Sequence, residues 1–538
     1  PMLPSSPTAR TRTTKEDALA WALTHGIVMR DAKSDKLFTH APMTLAPYEF
    51  SAQAFLSAVA LAPVFNRLVD AVARHPTWLQ ERLRGVASHD AFTGRLLSIL
   101  DTVREEGEAQ PLYLGIHRSD YMPHEGPVSD PRLLLQVELN TISSSFGGLS
   151  SSLAGMYRTL HTLTDPNGVV PPNRATDALA SALARAHGEY QARTGSAGCV
   201  VMFVVQPLER NEADQRMLQF QLLERHGVRV KRASLREVAD LAYIDPATRA
   251  LLFRDHEVSV VYFRAGYTPD DYDGEKEWDA RLKLERSRAV KCPNIAYHLA
   301  GAKKAQQLLA VPGELEIFLN ARDCERVRAV TAGLYTLDES EDSAEVAAVV
   351  SRAVANPEAY VLKPQREGGG NNLYGQEMAE ALRTMSASER AAYILMERIL
   401  PPAEHATLLR DSEVFRAMCT CELGIFSVFL GDASRRPLLD EYAGYLLRVK
   451  SVQTNEGGVA AGYAVLSAPI LYEDPAVSLE ELCEGGGEAL RELSADIHAL
   501  RKGEVDDAFM VDLRSVLVVS ALAGLAGVLV GWWSRMRR

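Results

Sequence analysis

The spacing of hydrophobic positions changes repeatedly along residues 16–471, from a helical period to a strand-like one. Helical patterns begin at Lys15 and recur over about residues 55–73 and 90–104, where apolar side chains return every three or four positions. Shorter apolar runs follow, among them PLYLGIH, LLLQVELN and VSVVYFRAGY, and these are typical of strands. Strands interleaved with helices predict an α/β fold.

The alternation is clearest over about residues 199–300. CVVMFVVQ predicts a buried strand, residues 214–226 a helix, and VRVKRAS a second strand. Polar segments follow the strand ends, with PLERNEADQ after the first strand and Arg264 and Tyr267 after VSVVYFRAGY. Sheets of this kind bind ligands at the carboxyl ends of their strands, so we expect a substrate-binding α/β unit here.

The segment YVLKPQREGGGNNLYG, residues 360–375, carries the most specific chemistry. An apolar strand leads into Lys363, and three consecutive glycines follow, Gly368, Gly369 and Gly370. Glycines let the backbone approach a ligand closely, and successive N–H groups can surround phosphate oxygens. Because no Gly-Lys-Ser/Thr follows, this is not a Walker A loop, and it suits a lid that closes over ATP. A basic surface turn is the simpler alternative.

Two oxygen-bearing side chains, Glu138 and Asn140, stand two positions apart at the end of the strand LLLQVELN. Alternation along a strand places both on one face, where both oxygens can reach one hard cation. Glu367, beside the glycines, offers a third oxygen ligand. The sequence therefore predicts a magnesium site, with a purely structural strand glutamate as the alternative.

Several basic residues occupy positions suited to anionic ligands. Arg118, in HRSDYM, is expected where a strand runs into a loop, and its simplest alternative role is a surface pair with Asp120. Arg448 and Lys450 stand two apart in GYLLRVKS, on one face of a predicted strand. Lys303 lies near the start of a predicted helix, where the helix dipole favours phosphate.

Taken in order and spacing, these segments resemble eukaryotic-type glutathione synthetase, an ATP-grasp ligase, over about residues 16–471. The resemblance implies a catalytic body over residues 16–473, with the substrate-binding unit at about 199–300 and the glycine-rich lid and ATP site at about 360–400. It also implies ligation of γ-glutamylcysteine to glycine, driven by ATP with Mg²⁺ through an acyl phosphate, in a homodimer.

The resemblance assigns roles residue by residue. The catalytic set is Arg118, Lys303, Lys363, Gly368, Gly369 and Arg448. The ATP-binding set is Glu138, Lys303, Lys363, Pro364, Gln365, Arg366, Glu367, Gly368, Gly369, Gly370, Asn371, Asn372, Tyr374, Met396, Glu397, Arg398, Ile399, Glu422, Lys450 and Glu456. The substrate-binding set is Arg118, Ile142, Ser143, Ser144, Ser145, Glu209, Arg210, Asn211, Gln215, Arg264, Ala265, Gly266, Tyr267, Arg448, Val459 and Ala460. The metal set is Glu138, Asn140 and Glu367.

Two alternatives concern the activity. Plant relatives that join β-alanine differ at the acceptor loop, and Val459, Ala460 and Ala461 match the glycine-using pattern. A ligase with another amine acceptor is one alternative, and some promiscuity is expected because so small a size difference is worth only about 1 to 3 kcal/mol in an apolar pocket. A catalytically silent, membrane-tethered relative is the other, although Glu138, Lys363 and Glu367 are present.

The net charge and the cysteine content limit the kinds of ligand and the cellular compartment that we expect. A net charge of −12 argues against nucleic-acid binding, which needs a basic surface. The six cysteines are scattered and show neither a CxxC pair nor zinc spacing, so we expect reduced thiols in a cytosolic protein.

The two ends of the chain depart from the resemblance. Residues 1–15 are expected to be disordered, with a transit peptide as the alternative, and residues 474–514 form an acidic linker. Residues 515–533, SVLVVSALAGLAGVLVGWW, have the length and composition of a membrane-spanning helix and precede the basic tail 534–538. The expectation is a tail-anchored protein whose catalytic body faces the cytosol, and a helix docked on that body is the alternative.

Overall fold

The computed structural model describes residues 14–31, 33–125, 134–161, 168–365, 371–434 and 436–472. The helices are α1 (Lys15–Thr24), α2 (Ala52–Ala73), α3 (Pro76–His89), α4 (Ala91–Glu106), α5 (Gly147–His161), α6 (Ala175–Thr194), α7 (Glu212–His226), α8 (Leu235–Leu241), α9 (Glu275–Arg286), α10 (Ile295–Ala300), α11 (Lys303–Ala310), α12 (Ala321–Arg328), α13 (Glu339–Ala355), α14 (Gly375–Thr384) and α15 (Ala387–Ala391).

The strands are β1 (Val28–Asp31), β2 (Ser34–His40), β3 (Met43–Thr44), β4 (Tyr48–Ser51), β5 (Tyr113–Pro123), β6 (Leu134–Asn140), β7 (Val200–Val204), β8 (Val230–Ala233), β9 (Ala242–Ile244), β10 (Leu251–Phe253), β11 (His256–Phe263), β12 (Val290–Cys292), β13 (Leu334–Thr336), β14 (Tyr360–Pro364), β15 (Leu373–Tyr374), β16 (Tyr393–Glu397), β17 (Glu404–Arg410), β18 (Glu413–Gly431), β19 (Pro437–Ser451), β20 (Val465–Ser467) and β21 (Pro469–Tyr472).

The largest sheet orders its strands β17-β3-β20-β19-β18-β5-β6. Its centre is the long strand β18, which pairs antiparallel with β19 on one side and β5 on the other. Residues 419–431 of β18 are all buried because α2 and α6 cover the sheet around it. Burial on both faces explains why CELGIFSVFL reads as a nearly unbroken apolar run.

The second sheet orders β8-β7-β11-β10-β9, with β12 beside β11. Strands β8, β7, β11 and β12 pair with one another in parallel, as the alternating pattern over residues 199–300 predicts, whereas β10 pairs antiparallel with both β11 and β9. All five residues of β7 are buried. The mixed α/β fold class is confirmed.

A third, four-stranded sheet orders β13-β16-β14-β15 and carries Lys363. Helices α13 and α14 pack on it around a core of its own, which includes Leu337, Val349, Leu362 and Met378. Its pairing is antiparallel, and Lys363 lies opposite Ile394 of β16.

The structure corrects the prediction that Arg118 lies where a strand ends. Strand β5 continues to Pro123, and Arg118 pairs in register with Phe426 of β18 and Asn140 of β6. The polar residues of HRSDYM suggest a loop, but β18 and β6, on either side of β5, form backbone hydrogen bonds with this segment. The serine segment after β6 leads directly into α5, which begins at Gly147.

Helix α2 is the one helix within the described ranges that is long and apolar enough to cross a membrane. Most of its side chains are buried, and it packs against β5, β18 and β19, so it is a helix of the core. The five cysteines of the described ranges are buried free thiols, as expected. The predicted acidic linker, membrane helix and basic tail lie outside the described residues, as do residues 1–13 and 366–370.

Candidate active site

A cavity of about 440 Å³ opens where the large sheet, the third sheet and the loops of the second sheet meet. Most of the predicted site residues line it: Arg118, Glu138, Asn140, Ile142, Ser143, Ser144, Ser145, Glu209, Asn211, Tyr267, Lys363, Asn372, Tyr374, Met396, Glu397, Arg398, Ile399, Glu422, Arg448, Lys450, Glu456, Val459 and Ala460. Lys303 lines a small adjoining pocket that shares Glu138 and Lys363.

The floor of the cavity is a cluster of buried ion pairs between β5, β18 and β19. Arg118 donates to Asp120 through Nε at 2.6 Å and Nη2 at 2.8 Å. Arg448 donates through Nη2 to Asp120 at 2.9 Å and also to Glu422. These acids raise the pKa of Arg448 further above neutrality despite the opposing effect of its burial. Both guanidinium groups are thus held in place by buried carboxylates.

Glu138 and Asn140 both reach the cavity from β6, as the strand alternation predicts. Lys303 Nζ lies 3.7 Å from Glu138 Oε2. Burial acts to raise the pKa of Glu138, but Lys303, Lys363 and the two arginines together lower it to about 2. Glu138 is therefore a carboxylate throughout the physiological range.

These oxygens suit a hard cation such as Mg²⁺. Asn140 donates through Nδ2 to Asp120 at 3.0 Å, so its Oδ1 is turned away from that carboxylate and available to a cation. The part of the chain that the structure describes holds no cluster of three His, Cys, Asp or Glu residues suited to a metal. Glu367, the third predicted ligand, lies outside the described residues.

Lys363 is almost fully buried, and its Nζ donates to the Val137 carbonyl at 2.9 Å. Burial, helped by nearby Lys303, lowers its pKa to about 8, although Glu138 and Glu422 act in the opposite direction. Burying the Lys363 ammonium is costly, and an anionic ligand bound beside it would stabilise its positive charge.

The serine segment after β6 lies on the cavity wall in an unusual backbone conformation. Ser143 has φ 55° and Phe146 has φ 75°, values that side-chain-bearing residues rarely adopt. The buried carboxylate of Asp214 accepts from the N–H groups of Phe146 at 2.9 Å and Gly148 at 2.8 Å. This carboxylate holds the strained loop and the start of α5 together.

Some residues predicted to touch the substrate lie behind the wall. Arg264 is buried and pairs with Asp214 at 3.2 Å. Gln215 is buried and donates to Glu209, which does face the cavity and whose pKa burial raises. Among the described residues of the predicted sets, Lys303 lines the adjoining pocket, and those on neither pocket wall are Arg210, Gln215, Arg264, Ala265, Gly266, Pro364, Gln365 and Asn371.

The opposite end of the cavity is formed by β16 and the residues after it, where Met396, Glu397, Arg398 and Ile399 follow one another. Tyr335 donates to Glu397 at 2.8 Å. Among the predicted lid residues, Arg366, Glu367, Gly368, Gly369 and Gly370 lie outside the described ranges, and Asn372 and Tyr374 line this end.

The loop after β19 closes the third side and carries Glu456, Val459 and Ala460. Arg210 donates through Nη1 to the Ala460 carbonyl at 2.5 Å, so it acts on this loop rather than on the cavity. Lys450 donates to the Asn455 carbonyl. The loop is thereby tied both to β19 and to the second sheet.

Residues 8–471 match a family model described as "Eukaryotic glutathione synthase, ATP binding domain". This chain belongs to the eukaryotic glutathione synthetase family. It is 43% identical over 469 residues to the chloroplastic glutathione synthetase of Solanum lycopersicum, covering 84% of this chain and 83% of that one. It is 41% identical over 458 residues to the glutathione synthetase of Homo sapiens, covering 83% and 94%.

Among solved structures, a glutathione synthetase like-effector from Globodera pallida in apoform matches with a TM-score of 0.68. The alignment covers 85% of this chain and 96% of that one at 23% identity, which supports the shared fold alone.

Several residues of the cavity wall and one buried acid were not predicted from the sequence. Met122, Val137, Phe146 and Val361 are apolar wall residues with no distinguishing chemistry, and only their position beside predicted site residues could have indicated them. The sequence suggests Asp120 as a surface partner of Arg118, but Asp120 is fully buried.

We predict that ATP binding weakens as the pH rises through about 8. Below that pH the Lys363 ammonium, whose pKa is about 8 in the folded protein, is charged and attracts phosphate, and above it the charge is lost. Phosphate itself ionises near pH 6 and does not change in this window. Calorimetric titration with ATP, without the amine substrate, measures the effect.

Lys363→Arg serves as the control, because guanidinium keeps its charge throughout this range. Its ATP affinity is expected to stay level from pH 7 to 9. Equal pH dependence in both proteins would contradict the prediction.

Proposed function

We propose that this chain joins γ-glutamylcysteine to glycine at the expense of ATP. One observation carries the proposal: two arginines, Lys363 and the oxygens of Glu138 and Asn140 converge on one cavity, and Lys303 lines the adjoining pocket that shares Glu138 and Lys363 with it. The family relationship adds that glutathione synthetases of plants and animals share about 40% of their residues with it over most of the chain.

The chemistry follows from what these groups can do. A carboxylate is a poor acyl donor, so its oxygen first attacks the γ-phosphorus of ATP, giving an acyl phosphate and ADP. The glycine amine then attacks the acyl carbon, the amide forms, and phosphate leaves. In this scheme Arg118 and Arg448 bind substrate carboxylates, and Lys303 and Lys363 stabilise the charge that develops on the transferred phosphoryl group.

Glu138, Asn140 and Glu367 would hold Mg²⁺, which when bound supplies positive charge against the phosphates. The glycines at 368–370 would supply backbone donors over the nucleotide and exclude water, which competes with glycine for the acyl phosphate. The scheme requires no covalent nucleophile on the protein.

Glycine is the proposed acceptor because Val459 and Ala460, which match the glycine-using pattern, lie on the cavity wall. A ligase that prefers β-alanine and a silent relative that only binds the dipeptide are the competing alternatives. The same assay separates all three.

We also infer a homodimer built on an exposed apolar surface. Leu37 and Phe38 on β2 are 58% and 44% exposed, and Phe220 and Leu223 on α7 are both 51% exposed. Strand β2 pairs with β1, and β1 adjoins the start of α7, since the backbone N–H of Arg30 on β1 donates to the Arg210 carbonyl at 2.8 Å. Large exposed apolar side chains gathered on neighbouring elements are typical of protein interfaces.

We further propose that residues 515–533 span a membrane and leave the catalytic body in the cytosol. The support is the sequence alone: an uncharged apolar run with tryptophans at one edge and arginines beyond.

The ligase is tested by measuring ADP release from the purified chain with γ-glutamylcysteine, Mg²⁺ and one amine at a time. We expect turnover that depends on glycine and falls by about 10²-fold or more in Lys363→Ala and Glu367→Gln, because each loses charge stabilisation at the phosphates. Lys276→Ala, at an exposed lysine, is the control and should keep full activity. Preference for β-alanine would favour the first alternative, and tight ATP binding without turnover the second.

The dimer is tested by sedimentation of Phe220→Asp, which puts a charge into the proposed interface. We expect dissociation to monomers with the fold retained, since Phe220 is exposed in the single chain. Leu241→Asp is the matched control on α8, where Leu241 is 41% exposed outside the proposed interface. A monomeric wild-type protein, or a Phe220→Asp variant that stays dimeric, would refute this interface.

Membrane attachment is tested by flotation of the full chain with lipid vesicles. A Leu525→Arg variant should float less, because an arginine near the middle of the run costs about 2.5 to 3.5 kcal/mol on insertion. Equal flotation of both proteins, or none for the wild type, would rule out the span.

A further inference from the structure

A buried acid at the floor of the cavity is not explained by the roles assigned so far. Asp120 has no exposed surface, and it stands in the middle of β5 between β18 and β6. An ionised carboxylate in such a place needs several strong hydrogen bonds, since burying an unpaired charge is costly.

Four donors converge on this one carboxylate. Arg118 donates to Oδ1 through Nε at 2.6 Å and to Oδ2 through Nη2 at 2.8 Å. Oδ2 also accepts from Arg448 Nη2 at 2.9 Å and from Asn140 Nδ2 at 3.0 Å. Asp120, which does not face the cavity, thus fixes three side chains that do face it. These side chains come from three different strands.

The bonds to Asp120 decide which donors remain for a ligand. On Arg448, Nη2 is shared between Asp120 and Glu422, while the buried Nε has no hydrogen-bond partner among the described residues. On Arg118, Nη1 makes a 3.3 Å bond to the Ser145 carbonyl, while Nε and Nη2 are both held by Asp120. An arginine anchored on one edge offers its other donors in a fixed direction.

We propose that Asp120 is the positioning residue that sets Arg118 and Arg448 as a preformed receptor for a carboxylate of the peptide substrate. The inference rests on the proposed ligase function and adds to it the group that orients its two arginines. Asp120 contacts no ligand itself. It also orients the Asn140 amide, so one carboxylate aligns the carboxylate receptor with a proposed cation ligand.

Gly424 provides independent support from the opposite strand. It pairs in register with Asp120, and a Cβ at this position would lie 2.7 Å from Asp120 Oδ1 and 2.7 Å from Arg118 Cδ. Both distances are shorter than any side-chain contact tolerates. Glycine at 424 therefore leaves the space in which the Arg118–Asp120 pair lies flat against the sheet.

The test is steady-state kinetics of Asp120→Asn in the full chain, with γ-glutamylcysteine, ATP and glycine varied in turn. Asparagine keeps the size but replaces one acceptor oxygen by a donor, which then faces an arginine N–H. We expect KM for the dipeptide to rise by about tenfold or more, the loss typical of one charge-assisted hydrogen bond, and KM for ATP to rise less, because Asn140 is one of three proposed cation ligands.

Gly424→Ala should show the same selective rise in KM, although it alters no functional group, and it keeps the proposal testable if Asp120→Asn fails to fold. Asp70→Asn is the matched control, since Asp70 is a buried acid bonded to Arg74 at 2.8 Å and Tyr297 at 2.7 Å away from the cavity wall. It should lower the melting temperature and leave KM unchanged. At equal dipeptide concentration, the stabilisation of the protein in thermal melts should be smaller in Asp120→Asn and Gly424→Ala than in the wild type, and unchanged in Asp70→Asn.

A folded Asp120→Asn or Gly424→Ala protein with wild-type KM for the dipeptide would overturn the assignment of Asp120. Failure of the proposed function looks different, because the wild-type protein would then show no glycine-dependent turnover.

Discussion

The pairing of β5 with β18 and of β18 with β19 places opposite charges in contact within one sheet face. Arg118, Asp120, Glu422 and Arg448 all come from these three strands, and each is largely buried. Removing one partner of such a buried pair lowers the free energy of unfolding by about 3 to 5 kcal/mol, because the remaining buried charge is neither paired nor solvated. The cavity floor therefore depends on strand register, which in turn depends on the apolar core that α2 and α6 make with the sheet.

The same cluster sets the charge state of the groups around it. Two arginines and two lysines hold the pKa of Glu138 at about 2, so this acid is a permanent anion. The lysines stand close to each other and are buried, which brings the pKa of Lys363 down to about 8. These buried positive charges favour the binding of an anion. The nucleotide and the dipeptide of the proposed reaction are both anionic.

The sequence pattern predicts the fold class and a few residues of the cavity wall that have local signatures, and the family resemblance supplies most of the other wall residues. Glu138 and Asn140 share a face by strand alternation, and three glycines after a strand lysine form an uncommon pattern outside phosphate-binding loops. The polar neighbours of Arg118 resemble a loop, and nothing local reveals the two partner strands that bury them. Arg264 follows a strand as predicted, yet Asp214 binds it behind the wall, and that depends on how α7 packs. Such long-range contacts cannot be predicted from the local spacing of residues.

If the substrate carboxylate is activated by phosphorylation in this cavity, one of its oxygens must end in the released phosphate, and isotopic labelling detects that transfer. γ-Glutamylcysteine labelled with ¹⁸O in the cysteine carboxylate would be turned over with ATP and glycine, and the released phosphate analysed by mass spectrometry. An acyl phosphate requires one labelled oxygen in each phosphate formed. Unlabelled phosphate, or label found in AMP, would show that the carboxylate oxygen does not attack the γ-phosphorus and that no acyl phosphate forms.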